Sequence, residues 1–321
     1  MPYYAGVDLG ATNVRAAVAD GDGDVLGISR QSTPQGPTGI AVTEAVLETL
    51  RTVCADVGID PGAIRATGIG SIGPLDLAEG VVENPANLPE AVGRIPLVGP
   101  VRELVGSERV YLHNDTSAAV IGERFYADRN PDDMVYLTIS SGIGAGVCVD
   151  GNVLGGWDGN TGEVGHMTVD PAGQMVCGCG REGHWEAYCS GNNIPRYAEA
   201  LHDGEATALP LGGEDFDAAD VFAHADHDAF AQTVVDRVAR WNAIGVANIV
   251  HAYAPLIIYV GGAVALNNPE LVVDAIRDRL GDMVMTNVPE VTLTGRGAEA
   301  VLYGAVASAL TGGTGDRSRL A

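Results

Sequence analysis

The chain contains no lysine; all 18 of its basic residues are arginine. That excludes chemistry built on an ammonium group, such as the phosphate lysine of P-loop NTPases and protein kinases or the amine of Schiff-base enzymes. Positive charge is scarce altogether: 42 acidic residues stand against those 18, for a net charge of −24. Nucleic acid and anionic membrane are therefore not expected as partners, since both need a positive face. Aspartate outnumbers glutamate, 25 to 17. An arginine-only, aspartate-rich chain points to adaptation to high salt, where screening relieves self-repulsion. The plainer reading is an ordinary acidic cytosolic protein.

No stretch resembles a signal peptide, and no run of about 20 apolar residues could span a bilayer, so a cytoplasmic protein is expected. The five cysteines are an odd number, in a compartment where disulfides are rare. For the close pair Cys177 and Cys179 a metal is the stronger expectation. What the chain does have is length and apolar content: 321 residues, 46 % hydrophobic, enough for about two domains with sizeable cores.

Residues 3–8 read as a strand, the glycine turn at Gly10 reverses it, 14–19 run back, and 25–29 follow a second turn. Residues 38–57 carry apolar side chains at helical spacing. Segments 66–72 and 110–113 read as buried strands, and 116–126 as a helix. A second cycle begins at 134–140, a strand, followed by a glycine turn at 142–146 and a returning strand at 147–149. Helices are expected at 230–253, 269–280 and 297–310, and a buried strand at 256–260. Segment 202–218 reads as a polar surface excursion, and the tail from Thr311 as frayed. The two cycles share one plan, strand, glycine hairpin, strand, later helix, which suggests two similar α/β domains.

Two glycine loops stand in matching places: Asp8-Leu9-Gly10-Ala11-Thr12-Asn13, and Ser140-Ser141-Gly142-Ile143-Gly144-Ala145-Gly146. Glycine lets backbone N–H groups approach phosphate oxygens, and Thr or Ser hydroxyls add donors. The second run is not a dinucleotide fingerprint, because no helix follows at once. Each loop alone is compatible with a plain hairpin; as a pair, with a carboxylate ending the first strand, they favour phosphate binding. A third site, Gly261-Gly262, allows close approach of a flat ligand such as adenine, or is a tight strand-to-helix turn. Asp115 follows a buried strand and opens a helix. It either caps that helix or acts as a general base at a strand's C-terminal edge. His166, Cys177, Cys179 and His184 supply two imidazoles and two thiolates, a set that suits a closed, structural tetrahedral zinc. The plainer reading is a reduced cysteine pair in a glycine loop.

Taken together, Glu163-Val164-Gly165-His166 and Cys177-Gly178-Cys179-Gly180-Arg181-Glu182-Gly183-His184-Trp185-Glu186 resemble the signature of the ROK family of sugar kinases and repressors, with the weaker motifs in the expected order. The resemblance runs from Asp8 to about Ala309. It implies the duplicated actin/hexokinase-like (ribonuclease H-like) α/β fold with a cleft between the domains. The expected division is a smaller domain over 1–115, completed by the helix at 297–312, and a larger one over 116–296 bearing the zinc loop. Two departures stand out. His184 replaces the usual third cysteine, with Cys189 as the fallback ligand, and Ala11 replaces a common glycine, which requires a negative φ there.

By matched position, the resemblance makes Asp115 the base that takes a proton from the sugar hydroxyl. Gly73, Asn87, Asn114, Glu163, His166 and Glu186 would bind the sugar, with His166 also on zinc. Asp8 would face the Mg²⁺ that accompanies ATP. Gly10, Thr12, Asn13, Ser141, Gly142, Gly144, Gly261 and Gly262 would hold the nucleotide. The expected reaction is ATP-dependent phosphorylation of a hexose at its 6-hydroxyl, foremost glucose, in a homodimer or homotetramer whose domains close over the sugar. Fructose, mannose or an N-acetylhexosamine are alternative acceptors, and another nucleotide or polyphosphate an alternative donor. A sugar-sensing repressor is not expected, because only Met1 and Pro2 precede the first strand and the charge is −24. A sugar-binding protein without catalysis is a further alternative, opposed by Asp115 and the two intact loops.

Overall fold

A computed structural model describes residues 2–320. Strands β1 (Tyr3–Leu9), β2 (Asn13–Ala19) and β3 (Val25–Ser32) form an antiparallel meander, followed by helix α1 (Gly39–Val57). Helix α1 buries Val42, Val46, Leu50 and Val53 and ends at Gly58, whose φ of 77° lets the chain turn back on the last carbonyls. Strand β4 (Ile64–Ser71) pairs parallel with β1. Next come β5 (Leu75–Asp76), β6 (Val81–Glu83) and β7 (Arg94–Pro96), a small three-stranded sheet that the sequence pattern did not announce. Helix α2 (Val98–Val105) leads to β8 (Val110–Asn114), parallel to β4, and then to α3 (Asp115–Tyr126). The first sheet thus has the order β3-β2-β1-β4-β8.

The second cycle runs through β9 (Met134–Ile139), β10 (Ile143–Val149) and β11 (Asn152–Val153). Helices α4 (Glu186–Cys189), α5 (Ile194–Leu201), α6 (Ala218–His224) and α7 (Ala229–Tyr253) follow. Then come β12 (Ile257–Gly261), α8 (Ala263–Asn267), α9 (Ala275–Leu280), β13 (Glu290–Leu293) and α10 (Ala300–Thr311). The second sheet, β11-β10-β9-β12-β13, repeats the plan of the first: hairpin strands on one side and two further strands on the other. No helix among the described residues is long and apolar enough to cross a membrane.

Contacts divide the chain into two units. One holds residues up to Met134, Gly146–Gly162, and everything from Glu299 on; the other holds Val135–Ala145 and Glu163–Ala298. In the first unit α10 packs against α3, β1 and β4. It approaches so closely that a Cβ on Gly304 would lie 1.8 Å from the Ala118 carbonyl oxygen, and one on Gly68 would lie 2.0 Å from that of Ala305. Glycine there is a packing requirement.

Three expectations change. The glycine turn at 142–146 is shorter: β10 already begins at Ile143. Gly146 lies within that strand, where its missing Cβ would meet the Thr116 carbonyl oxygen at 2.0 Å. The helix at 269–280 is not uniform; a π-helical turn at Glu270–Asp274 precedes α9, with Val272, Val273, Ile276 and Leu280 all buried. The tail from Thr311 is docked through Gly315. The buried Arg124 guanidinium donates to the Thr314 carbonyl (2.9 Å) and to that of Gly151 (3.0 Å), and Asn130 Nδ2 donates to that of Gly315 (3.0 Å).

His113 of β8 is joined to Ser308 of α10, with Nε2 2.7 Å from Oγ. Desolvation pulls its pKa down to about 4 from an ordinary 6.5. The unfolded chain therefore binds this proton first as pH falls. The stabilisation is complete above about pH 6.5 and is lost as pH drops toward about 4. Between pH 7 and pH 5 the loss should be about 1–2 kcal/mol, since the ring retains some exposure. Chemical denaturation at the two pH values checks this, and His113→Gln should flatten the difference.

Candidate active site

Because β1, β4 and β8 run parallel, with Leu9 opposite Ser71 and Ser71 opposite Asn114, their C-terminal ends share one edge of the first sheet. Open α/β sheets place ligands at such an edge. Gly10 and Asp115 follow β1 and β8 directly, and Gly73 follows β4 after Ile72. The N-cap of α3 is Asn114, whose Oδ1 accepts from the Thr116 N–H (3.0 Å) and hydroxyl (2.8 Å). Capping is therefore not left to Asp115, which occupies the first helical position, half-buried, with Oδ1 2.7 Å from the Thr116 nitrogen. Asn114 keeps Nδ2, which lies 3.5 Å from the Cβ position of Gly73. Asn87 stands exposed on the turn between β6 and β7.

The first glycine loop is tied from behind. The carbonyls of Gly10 and Thr12 accept from Thr33, and that of Ala11 from Gln35. Across a planar trans peptide the N–H points opposite to the C=O, so the N–H groups of Ala11, Thr12 and Asn13 face away from these tethers. Such a row of amides is the pattern that cradles phosphate. Ala11 is not among the described non-glycine residues with positive φ, which are Asn84, Asn130, Asp150 and Ala254. Asp8 is 5 % exposed and paired with Arg15, whose Nε donates at 2.8 Å. Burial pushes the Asp8 carboxyl upward, and Arg15 opposes that shift. Arg30 pairs opposite Arg15 in β3 and donates to Asn13 Oδ1 (3.0 Å).

In the second unit the other two glycine sites come together. Ser140 N donates to the Gly142 carbonyl, Gly191 N to the Ser140 carbonyl, and Ala263 N lies 3.5 Å from Ser140 Oγ, beside Gly262. Ser141 is exposed at the tip, and Gly144 is an extended residue of β10. A Cβ on Gly262 would strike the Ile139 carbonyl oxygen at 2.4 Å, and one on Gly261 the Tyr136 hydroxyl at 2.2 Å. These two glycines are required by their own packing. Glu186 stabilises the same loop: its Oε2 accepts from Ile143 N (2.9 Å).

The ligand atoms of His166, Cys177, Cys179 and His184 all lie within 4.8 Å of one another. His184 Nδ1 is 3.3 Å from Cys179 Sγ, and His166 Nδ1 is 3.6 Å from Cys177 Sγ. His166 Nε2 turns the other way, 3.7 Å from Glu163 Oε2. Cys189 is not in the group; it is buried on α4 with Sγ 3.5 Å from the Val238 carbonyl. The quartet is tetrahedral S₂N₂ chemistry and could hold zinc. Burial pushes the Cys177 thiol up to about 11, so a thiolate there needs a cation, and burial of His184 favours the neutral imidazole that ligates.

The loop that carries the quartet is framed by residues that sequence spacing did not single out. Asp170 accepts from Ala172 N, Gln174 N and the Tyr188 hydroxyl (2.6 Å), and that hydroxyl accepts from Met175 N. Trp185 is fully buried, with Nε1 donating to Asn242 Oδ1 (2.8 Å). Asn160 and the His113–Ser308 pair carry no local signal either, because their partners are 85 and 195 residues away, whereas Arg15 meets Asp8 across the β1–β2 hairpin, seven residues away.

Two sheets of one strand plan, each with a glycine loop after its central strand, and a carboxylate opening α3 define a phosphotransferase of the actin/hexokinase-like class. Residues 4–311 match the family model described as ROK family, and the chain belongs to that family. It is 36 % identical to a glucokinase of Pyrobaculum calidifontis over 96 % of this chain and 95 % of that protein. Among solved structures it resembles a ROK hexokinase from Thermus thermophilus, with TM-score 0.79, 34 % identity, and coverage of 96 % and 97 % of the two chains. It also resembles a ROK-family glucokinase from Streptomyces griseus solved in complex with glucose and AMPPNP, with TM-score 0.74, 31 % identity, and coverage of 96 % and 99 %.

Proposed function

We propose that this protein is an ATP-dependent hexose kinase that phosphorylates glucose at its 6-hydroxyl. The observation that carries the reading is Asp115 beside Asn114 at the shared edge of β1, β4 and β8, in a chain of the ROK family with glucokinase relatives. As O6 attacks the γ-phosphorus, the O6–H bond gives its proton to Asp115, the bond to the β-phosphate oxygen breaks, and ADP leaves. Asn114 Nδ2 donates to a sugar oxygen, Gly73 leaves room for the ring, and Asn87 adds a further contact. Glu163, His166 and Glu186 are the polyol-binding groups of the second unit. The N–H groups after Gly10, with Thr12 and Asn13, receive phosphate. So do Ser141, Gly142 and Gly144, while Gly261 and Gly262 border the base.

Mg²⁺ bound with ATP supplies charge neutralisation that no lysine here can provide. Asp8 is the residue to face it, with Arg15 holding the carboxylate in place. The quartet His166, Cys177, Cys179 and His184 holds a structural zinc that fixes the His166 ring, so Nε2 is left for the sugar. The reaction belongs in the cytoplasm, in keeping with five unpaired cysteines, and the assembly is a homodimer or homotetramer, as the family resemblance implies. The missing lysine and the charge of −24 mark a protein built for high salt.

Three measurements test this. Asp115→Asn preserves shape and should lower kcat for glucose by about 10²–10⁴-fold with little change in glucose affinity; a kcat within tenfold of the parent would remove Asp115 from its role. Protein purified without chelators should contain one zinc per chain by elemental analysis, retained in Cys189→Ser and lost in His184→Ala. Thermal stability should rise steadily from dilute buffer to molar KCl, and a flat or falling profile would contradict salt adaptation.

A further inference from the structure

Residues 155–162 carry a side chain that the proposed reaction leaves without a role. Trp157 is 96 % exposed, whereas Trp185 is fully buried and Trp241 half-buried. An indole held in water is uncommon in a folded chain. Its loop lies against the β5–β6 hairpin: a Cβ on Gly159, whose φ is 84°, would come 2.5 Å from Leu77 Cδ1. Leu77 is itself 47 % exposed. Between loop and hairpin runs a groove of about 550 Å³, whose lining includes Leu75, Asp76, Leu77, Glu83, Trp157 and Asn160.

The groove continues toward the residues assigned to the hexose. A smaller cavity of about 90 Å³ shares Leu77, Gly155 and Gly159 with it and reaches Asn114. Asn160 Oδ1 lies 3.4 Å from the Leu75 nitrogen and 3.9 Å from the Cβ position of Gly73. The chemistry is an apolar plate flanked by carboxylates. A pyranose matches both parts: its C–H face stacks on indole, and its hydroxyls donate to Asp76, whose Oδ1 also accepts from the Ala78 and Glu79 N–H groups, and to Glu83, whose Oε1 lies 3.5 Å from Arg94 Nε.

We propose that this groove is an outer carbohydrate subsite, in which Trp157 is the stacking platform for a second pyranose joined to the hexose at Gly73 and Asn114. The inference rests on the hexose-kinase reading and extends it from single sugars to glucosyl disaccharides.

Calorimetry and tryptophan fluorescence on the full chain in molar KCl, with glucose, maltose and cellobiose, test it. At least one disaccharide should bind about tenfold more tightly than glucose and quench the exposed tryptophan. Trp157→Ala should abolish that gain while leaving glucose affinity within about twofold, and Trp157→Phe should restore most of it. Glucose binding without a disaccharide gain, or a gain that survives Trp157→Ala, overturns the subsite and leaves the hexose reading intact. Absence of glucose binding overturns both.

Discussion

The first unit depends on how closely α10 can approach β1, β4 and α3. Ordinary helix packing keeps axes 8–10 Å apart through interposed side chains. Here the helix backbone comes down on glycines, with Gly304 against the Ala118 carbonyl and Gly68 against that of Ala305. The contact fixes the strand ends that carry Gly10, Gly73 and Asp115, because β1 and β4 lie directly beneath α10 and β8 is joined to it through His113 and Ser308. It also sets the start of α3, and so the place of the carboxylate that opens it. A side chain at Gly304 or Gly68 would separate these elements by more than any neighbouring rotamer could absorb.

A second constraint is charge. With arginine as the only strong cation, each buried acid needs a guanidinium or several N–H donors. Asp8 takes the first course through Arg15, and Asp170 the second, through two backbone amides and a tyrosine hydroxyl. Arginine suits the first task because its planar fork stays charged when desolvated, where a lysine would tend to lose its proton. Arg124 does similar work without a buried partner: it meets three backbone carbonyls and the exposed Asp132 and so joins three segments of the first unit.

Much of this was legible in the chain. The meander, α1, α3 and α7 follow from alternation and helical spacing, because long periodic segments carry their own signal. Strands β5 to β7, of two or three residues each, have no period to read. Gly146 misled because glycine marks both turns and close packing, and only the position of Thr116 distinguishes them. The His and Cys quartet was readable because its spacing is local, and the structure places His184 beside the other three while Cys189 is buried on α4. The docked tail was not readable, since Arg124 meets Thr314 across 190 residues, and neither was the Asp170–Tyr188 pair, since a lone carboxylate and a lone tyrosine form no recognisable cluster in sequence.

The place of α10 has a consequence for synthesis. The strands it covers leave the ribosome early, and the helix itself is translated only after all of Val135–Ala298. The second unit can complete its core while the first still lacks its cover. Until α10 arrives, the faces of β1, β4 and α3 stand open to water, which is the kind of transient apolar surface that chaperones bind and that drives aggregation when they are short. For this chain the hazard in folding lies at the beginning of the sequence and ends with its last helix.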